Sequence, residues 1–277
     1  AEVRRAGAAF NLLSGGVYTR TGFSPTWEWN GDFLYTAARL YGAVFEEGAP
    51  LSWERGTLTS AVARLKDWLN EENGGAQAED DFVFKYSYNP PLRLIEQGRI
   101  LFAYVKSNVL FTAPAEELEQ LDFRWLAAED TDGEKISVLE DVLLLGITKK
   151  CAAKNAAAAF VKWFYSDYTQ RELLKGSKAA YMGAPIFGIA SGFSAVRSVT
   201  ESAFPPKYPA LLAHIPPDDS LRAPPPLPWN WSNLKERVIV PYIRERVKTD
   251  EAPTRNLEQR LADWARMNNQ ILQAIRD

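Results

Sequence analysis

The feature that most restricts this chain is a short continuous apolar run, Val142-Leu143-Leu144-Leu145-Gly146-Ile147, set between Glu140-Asp141 and Thr148-Lys149-Lys150. It lacks polar alternation and has β-branched ends, so it predicts a strand covered on both faces. Asn155 then precedes four alanines and the stripe Phe160, Val161, Trp163 and Phe164. That pattern predicts a helix over 155–165 with Asn155 as its N-cap. A strand feeding an amphipathic helix is half of a βαβ unit and needs parallel neighbours.

Elsewhere helices dominate. Asp32 is placed to cap a helix bearing Phe33, Leu34, Ala37, Leu40, Tyr41, Val44 and Phe45. Leu58, Val62, Leu65 and Leu69 define the next, which Asn73-Gly74-Gly75 stops. Residues 80–89 read as a polar-aromatic connection, and Pro90-Pro91 opens a short helix. Residues 100–105 read as a strand ending in the polar tip Lys106-Ser107-Asn108, the kind of position where open α/β sheets hold ligands. Phe123, Trp125 and Ala127 alternate as a further strand. The proline-rich segment 205–228 reads as an ordered surface connection, because Tyr208, Leu211, Leu212 and Ile215 need cover. Asn233 and Glu236 form a capping-box pattern opening a helix through Val247 that Pro241 must kink, and a final helix carries Leu257, Leu261 and Trp264.

Composition excludes several classes. Net charge is −3 with no long run of like charge, which gives no nucleic-acid footprint. No apolar run approaches the roughly 20 residues of a membrane helix. One cysteine, Cys151, and one histidine, His214, leave no disulfide framework and no Cys/His metal cluster, and no cofactor is expected. Nine tryptophans are the unusual count, with Trp27 close to Trp29 and Trp229 close to Trp231. Aromatic faces outside a core contact sugars, cations or partners.

The order of elements carries a resemblance. An amphipathic helix leads to GRILFAYVKSN, then DFRWLAAEDTDG, then LEDVLLLGITKKCAAKNAAAAFVKWFYSDYTQRELL, and the tail reads PLPWNWSNLKERVIVPYIRERVKTDEAPTRNLEQRLADWARMNNQI. This resembles the carbohydrate-binding (family 1 type) extracellular solute-binding proteins of ABC importers. The resemblance implies an α/β fold of the periplasmic-binding-protein type II kind, with two lobes joined by hinge segments. It places 1–139 and 189–277 in the second lobe, and only the crossing segment 140–188 in the first. The first lobe is then incomplete, since the segment that opens the family's fold should precede Ala1. The family's Gly-Gly before the crossing strand is replaced by Leu139-Glu140-Asp141. With the other strands assigned to the second lobe, the 142–147 run is expected to pair with the missing first-lobe segment or a partner chain.

The implied function is non-enzymatic: capture of a small polar ligand, a sugar or oligosaccharide, outside the cytoplasm (in the periplasm or as a lipoprotein), and its delivery to a membrane permease. Trp27, Trp29, Trp229 and Trp231 are the candidate stacking residues, and Lys106, Asn108, Glu140 and Asp141 the candidate hydrogen-bonding ones. Two alternatives stand beside this. One is a carbohydrate-active enzyme using carboxylates near Glu28 and Asp80/Asp81, although adjacent residues of an extended chain face opposite ways. The other is a binding fold repurposed for protein interaction.

Overall fold

A computed structural model describes residues 1–30, 32–48, 51–129, 133–176, 186–228 and 230–276, with side chains as far as Asn268 in the last segment. The protein is mixed helix and sheet, 53% helical, with small sheets. In chain order the elements are α1 (Glu2–Phe10), β1 (Leu12–Ser14), β2 (Val17–Arg20), α2 (Phe33–Leu40), β3 (Phe45–Glu46), β4 (Ser52–Trp53), α3 (Arg55–Asn73) and α4 (Gly75–Tyr86). There follow α5 (Pro91–Glu96), α6 (Ser107–Leu110), α7 (Ala115–Leu118), β5 (Ala128–Glu129), β6 (Lys135–Val138), α8 (Lys154–Phe164) and α9 (Asp167–Gly176). The last are α10 (Arg197–Lys207), β7 (Leu221–Arg222), α11 (Trp231–Leu234), α12 (Val240–Lys248) and α13 (Leu257–Arg276).

The chain divides into two compact units, one of residues 1–104, 127–140 and 220–277, the other of 105–126 and 141–219. One boundary falls between Glu140 and Asp141. The second unit runs on to Asp219, where the sequence reading placed the return near Ile189.

The first unit is centred on a buried segment that is neither helix nor strand. Residues 21–27 are all buried, so each backbone polar group needs a partner. Side chains supply several. Gly22 N–H donates to Asn11 Oδ1 at 2.7 Å, the Asn73 amide to Phe23 O at 3.0 Å, and the Asn30 amide to Ser24 O at 3.1 Å. Leu101 and Phe102 N–H groups both donate to Gly22 O. Residues 100–105 are therefore not the ladder-forming strand their composition predicts, because Gly22 takes two bonds at one point and Asn30 Oδ1 takes Tyr104 N–H. At Gly22 the segment crosses α1 so closely that a Cβ would collide with the Gly7 backbone.

Around this segment Phe23 packs edge-on to Phe33 (4.7 Å between centroids) and near Trp68 (5.5 Å), while Trp27 stacks on Phe82 at 5.8 Å. Phe82 comes from α4, in the stretch read as a connection. Glu79, Phe82 and Tyr86 recur at three and four residues, one face of a helix, a signal masked by the acidic pair beside it. Gly74, at φ 74°, ends α3 in the left-handed conformation that a side chain disfavours. Glu79 is 1% exposed and accepts hydrogen bonds from the Ser24 and Thr26 hydroxyls, and Lys248 of α12 lies 3.1 Å from it and 2.7 Å from Asp80.

The helix predicted over 233–247 is two pieces joined by a π-helical turn at Lys235–Ile239. Pro241 has no N–H and its ring crowds the carbonyl of residue 237, and the wider turn accommodates both.

The second unit has its own aromatic core, with Phe111 stacked on Phe187 at 4.9 Å and Phe204, Val199, Leu174 and Leu211 around them. Trp125 donates to His214 O at 2.9 Å and Phe123 packs on Phe111, so 123–127 is an anchored coil, and pairing starts only at β5. Tyr208 and Leu211 find the expected cover; Leu212 does not. Pro205 and Pro206 lie inside α10. α8 forms one residue earlier than predicted, without a side-chain cap.

The predicted strand 142–147 is absent. The run follows a bend at Asp141 (φ 53°), and none of its backbone groups is hydrogen bonded among the described residues. An apolar pattern states what a strand would bury, but a strand forms only against a neighbour. The sheets that do form have two, two and three strands, and β6–β7 is the parallel pairing among the described residues.

Two outcomes test this packing. Trp27→Ala removes the largest ring of the buried segment and should lower stability by about 3–5 kcal/mol in chemical denaturation. Burial pulls the pKa of the Lys248 ammonium down, but the Glu79 and Asp80 carboxylates more than offset this and leave it raised. The contribution of that ion pair is therefore complete below the unfolded lysine pKa and fades as pH rises through the higher folded value. Urea midpoints should fall as pH rises beyond the ordinary lysine value, and Lys248→Met should flatten that part of the fall.

Candidate functional site

The first unit carries a polar face along α2. Its residues Asp32, Thr36 and Arg39 recur at helical spacing on one side of a helix otherwise made of apolar side chains. Asp32 stands at the expected N-cap position, but its carboxylate makes no capping bond and pairs with Lys235 of the π turn at 2.6 Å, and the lysine side chain is only 4% exposed. Lys235 also lies 5.6 Å from the Tyr35 ring centroid, a favourable place for a cation. Thr36 donates to the Glu140 carboxylate, and Tyr104 Oη lies 3.1 Å from the same hydroxyl. Arg39 donates to Leu139 O at 2.6 Å. α2 thus fixes 139–140 at the end of β6, and β6 is fixed in turn by parallel pairing to β7 and by Leu139 N–H donating to Arg222 O.

These elements border a cavity of about 190 Å³, lined by Tyr35, Phe45, Ile136, Val138, Arg39 and Arg222 among others. Trp231 stands behind it, its ring 5.5 Å from Tyr35 and 5.8 Å from Phe45. The volume is below the roughly 300–1,000 Å³ of drug-sized sites, so the cavity accepts one small group at a time. The Tyr35 and Phe45 rings are themselves 3% and 1% exposed, so the accessible chemistry of the cavity is that of its other lining residues, Arg39 and Arg222 included. A second cavity, about 300 Å³, lies between the π turn and α13 and is lined by Arg237, Arg255, Arg260, Asp263 and Trp264, among others.

The residues singled out from the sequence distribute unevenly. Glu140 and Trp231 are not among the residues lining the 190 Å³ cavity: Glu140 accepts from Thr36, and Trp231 packs against Tyr35 and Phe45, which do line it. Trp27 is 2% exposed and belongs to the core, so it does not offer a face to ligand. Trp29 is half-buried with its ring 4.9 Å from that of Trp27. Lys106 and Asp141 form an ion pair at 2.5 Å in the second unit, where half-buried Asn108 accepts the Thr112 hydroxyl at its carbonyl. Trp229 lies outside the described residues.

The carboxylates weighed for glycoside hydrolysis have other partners. Asp80 pairs with Lys248, Asp81 accepts from Gln77 one turn away, and Glu28 faces Arg244 at 3.6 Å.

Comparison with family models, characterised proteins and solved structures gives no match.

Arg39 and Arg222 escaped the sequence reading. Arg39 had one signal, a lone cation on an apolar helix; Arg222 stands beside the prolines with no periodicity to mark its direction.

The buried pair behind this cavity is a stability element as well. Asp32→Ala leaves the Lys235 ammonium buried without its carboxylate and should cost about 3–5 kcal/mol in urea denaturation. Asp32→Asn, which keeps the shape and a hydrogen-bonding oxygen, should cost less.

Proposed function

We propose that this chain is a solute-binding protein of the ABC-importer kind, holding a small polar ligand, a sugar or oligosaccharide, and acting by binding without turnover. The observation that carries the reading is the small cavity between α2, β6 and β7, with Arg39 and Arg222 among its lining residues. Arginine N–H groups are suited to meet the hydroxyls of a small polar ligand. The bond from Arg39 to Leu139 O uses one of its five N–H groups, and the Arg222 side chain has no partner among the described residues. The resemblance in element order supports the same reading. In it the protein works outside the cytoplasm and passes its ligand to a permease. The four passages of the chain between its units agree with a hinged architecture.

Titration calorimetry against a panel of mono- and oligosaccharides tests it. At least one saccharide should bind with no hydrolysis product. Arg222→Ala should weaken that binding by about 10–100-fold, the worth of a charge-assisted hydrogen bond, with the melting temperature unchanged. Binding that is indifferent to Arg222→Ala and to Arg39→Met, or no saccharide binding at all, would remove the assignment.

A further inference from the structure

The cavity of about 300 Å³ in the first unit takes no part in the saccharide reading and has a chemistry of its own. Its lining includes Arg237 on the π turn, Arg255 on the loop before α13, and Arg260, Asp263, Trp264 and Met267 on α13. The four from α13 recur at spacings of three and four, so they share one side of that helix. Loop and helix are joined by a reciprocal cap, Gln259 N–H donating to Asn256 Oδ1 at 2.9 Å and Asn256 N–H to Gln259 Oε1 at 3.0 Å. Arg260 Nε donates to Arg255 O at 3.0 Å, which ties these two arginines into one frame.

The charges of this lining do not balance. Among the described residues it holds three arginines and one carboxylate. Asp263 is already shared between Arg255 and Arg266, and Arg260 is paired with Glu245. Arg237 is exposed and makes no hydrogen bond or ion pair among the described residues. A guanidinium binds carboxylate or phosphate through two parallel N–H groups, and its weak hydration makes that exchange with water favourable. Beside these donors the lining offers apolar surface that solvent reaches, since Met267 is 57% exposed and Trp264 is half-buried. The Trp264 ring is held from one edge, its Nε1 donating to Asn233 Oδ1 at 3.3 Å. A hollow lined by surplus cations and an accessible indole fits an anionic head on a flat apolar body. Its volume suits a ligand at the small end of the usual range, one ring with its head group.

We propose that this cavity is a second binding site, for a small organic anion whose carboxylate or phosphate is met by Arg237 and whose attached ring rests against Trp264. Asp263 and Glu245 keep Arg255 and Arg260 in position around it, and Arg237 is the cation left over to pair with the ligand. The site lies within 220–277 of the first unit and shares no lining residue with the smaller cavity, so it stands apart from the saccharide reading.

Calorimetry on the full chain at low salt tests it with phenyl phosphate, benzoate, inorganic phosphate and benzyl alcohol. At least one of the two ring anions should bind in roughly the millimolar range or tighter, and the one that binds better identifies the head group. Benzyl alcohol, the ring alone, and inorganic phosphate, the head alone, should each bind at least about tenfold more weakly. Arg237→Gln should weaken the ring anion about 10–100-fold with an unchanged melting curve, because that side chain holds nothing else among the described residues. Trp264→Leu should shrink the advantage of the ring anion over inorganic phosphate, and Arg237→Gln decides alone if that change loosens α13. Arg222→Ala, in the other cavity, should leave the ring anion untouched. Failure of both ring anions to bind at about 10 mM overturns the proposal. So does indifference to Arg237→Gln, a loss of ring-anion binding in Arg222→Ala, or benzyl alcohol binding as tightly as the ring anion. Inorganic phosphate binding as tightly as phenyl phosphate would mean an adventitious ion only, and overturns it too.

Discussion

A buried backbone with no sheet around it is the constraint on which the first unit depends. Residues 21–27 pass through the interior as irregular chain, and an unpaired peptide group there costs about as much as a lost hydrogen bond. The solution is a set of amide side chains, Asn11, Asn30 and Asn73, each placed by a different neighbouring element and each meeting a main-chain group of the segment. Glu79 completes it by accepting the Ser24 and Thr26 hydroxyls while facing Lys248. The aromatic core can then close on Trp27 and Phe23 because main-chain groups of the chain that carries them are met by these amides, although Thr21 Oγ1 and Trp27 Nε1 stay buried without a hydrogen-bond partner among the described residues. Hydrophobic burial supplies the driving force; these side-chain bonds decide which conformation receives it.

The same economy sets the character of the candidate site. α2 buries most of its surface, and the polar residues it keeps each hold something: Asp32 the π turn, Thr36 the carboxylate of Glu140, Arg39 the carbonyl of Leu139. The cavity between α2, β6 and β7 is consequently held by charged and hydrogen-bonded contacts around its edge and by rings at its back. Of the two arginines lining it, Arg39 is held by Leu139 O and has little side-chain freedom left to lose when a ligand arrives, while Arg222 would still have to be ordered.

Helices were legible in the sequence wherever period and punctuation agreed. The stripe of Leu58, Leu65 and Leu69 with Gly74 after it, and the alanine-aromatic stretch that became α8, needed nothing beyond local pattern. α4 was hidden because Asp80-Asp81 and the aromatics around them imitate a loop, while the face that matters, Glu79 and Phe82, is defined by what it packs against. Strands were the less legible class, for a physical reason. Residues 100–105 and 142–147 both have strand composition, yet the first spends its amides on Gly22 and Asn30 and the second meets no neighbour. Pairing is a property of two segments, and a single run carries only half of it. Glu140 and Trp231 were legible only as residues near the site, and Arg39 and Arg222 gain meaning only when α2 and β7 set them beside the same cavity.

The π turn at Lys235–Ile239 has a consequence for how this protein can vary in length. It places one additional residue in a helix that is gripped at both ends, by the Lys235–Asp32 pair before it and by Val240, Ile243 and Val247 in the core after it. Deleting a residue within the turn would restore ordinary winding, yet would swing Lys235 by about 100° around the axis relative to those anchors. The helix is phase-locked, and its two ends agree only at this residue count. An insertion or deletion between Lys235 and Lys248 therefore rotates one set of these anchors away from the other.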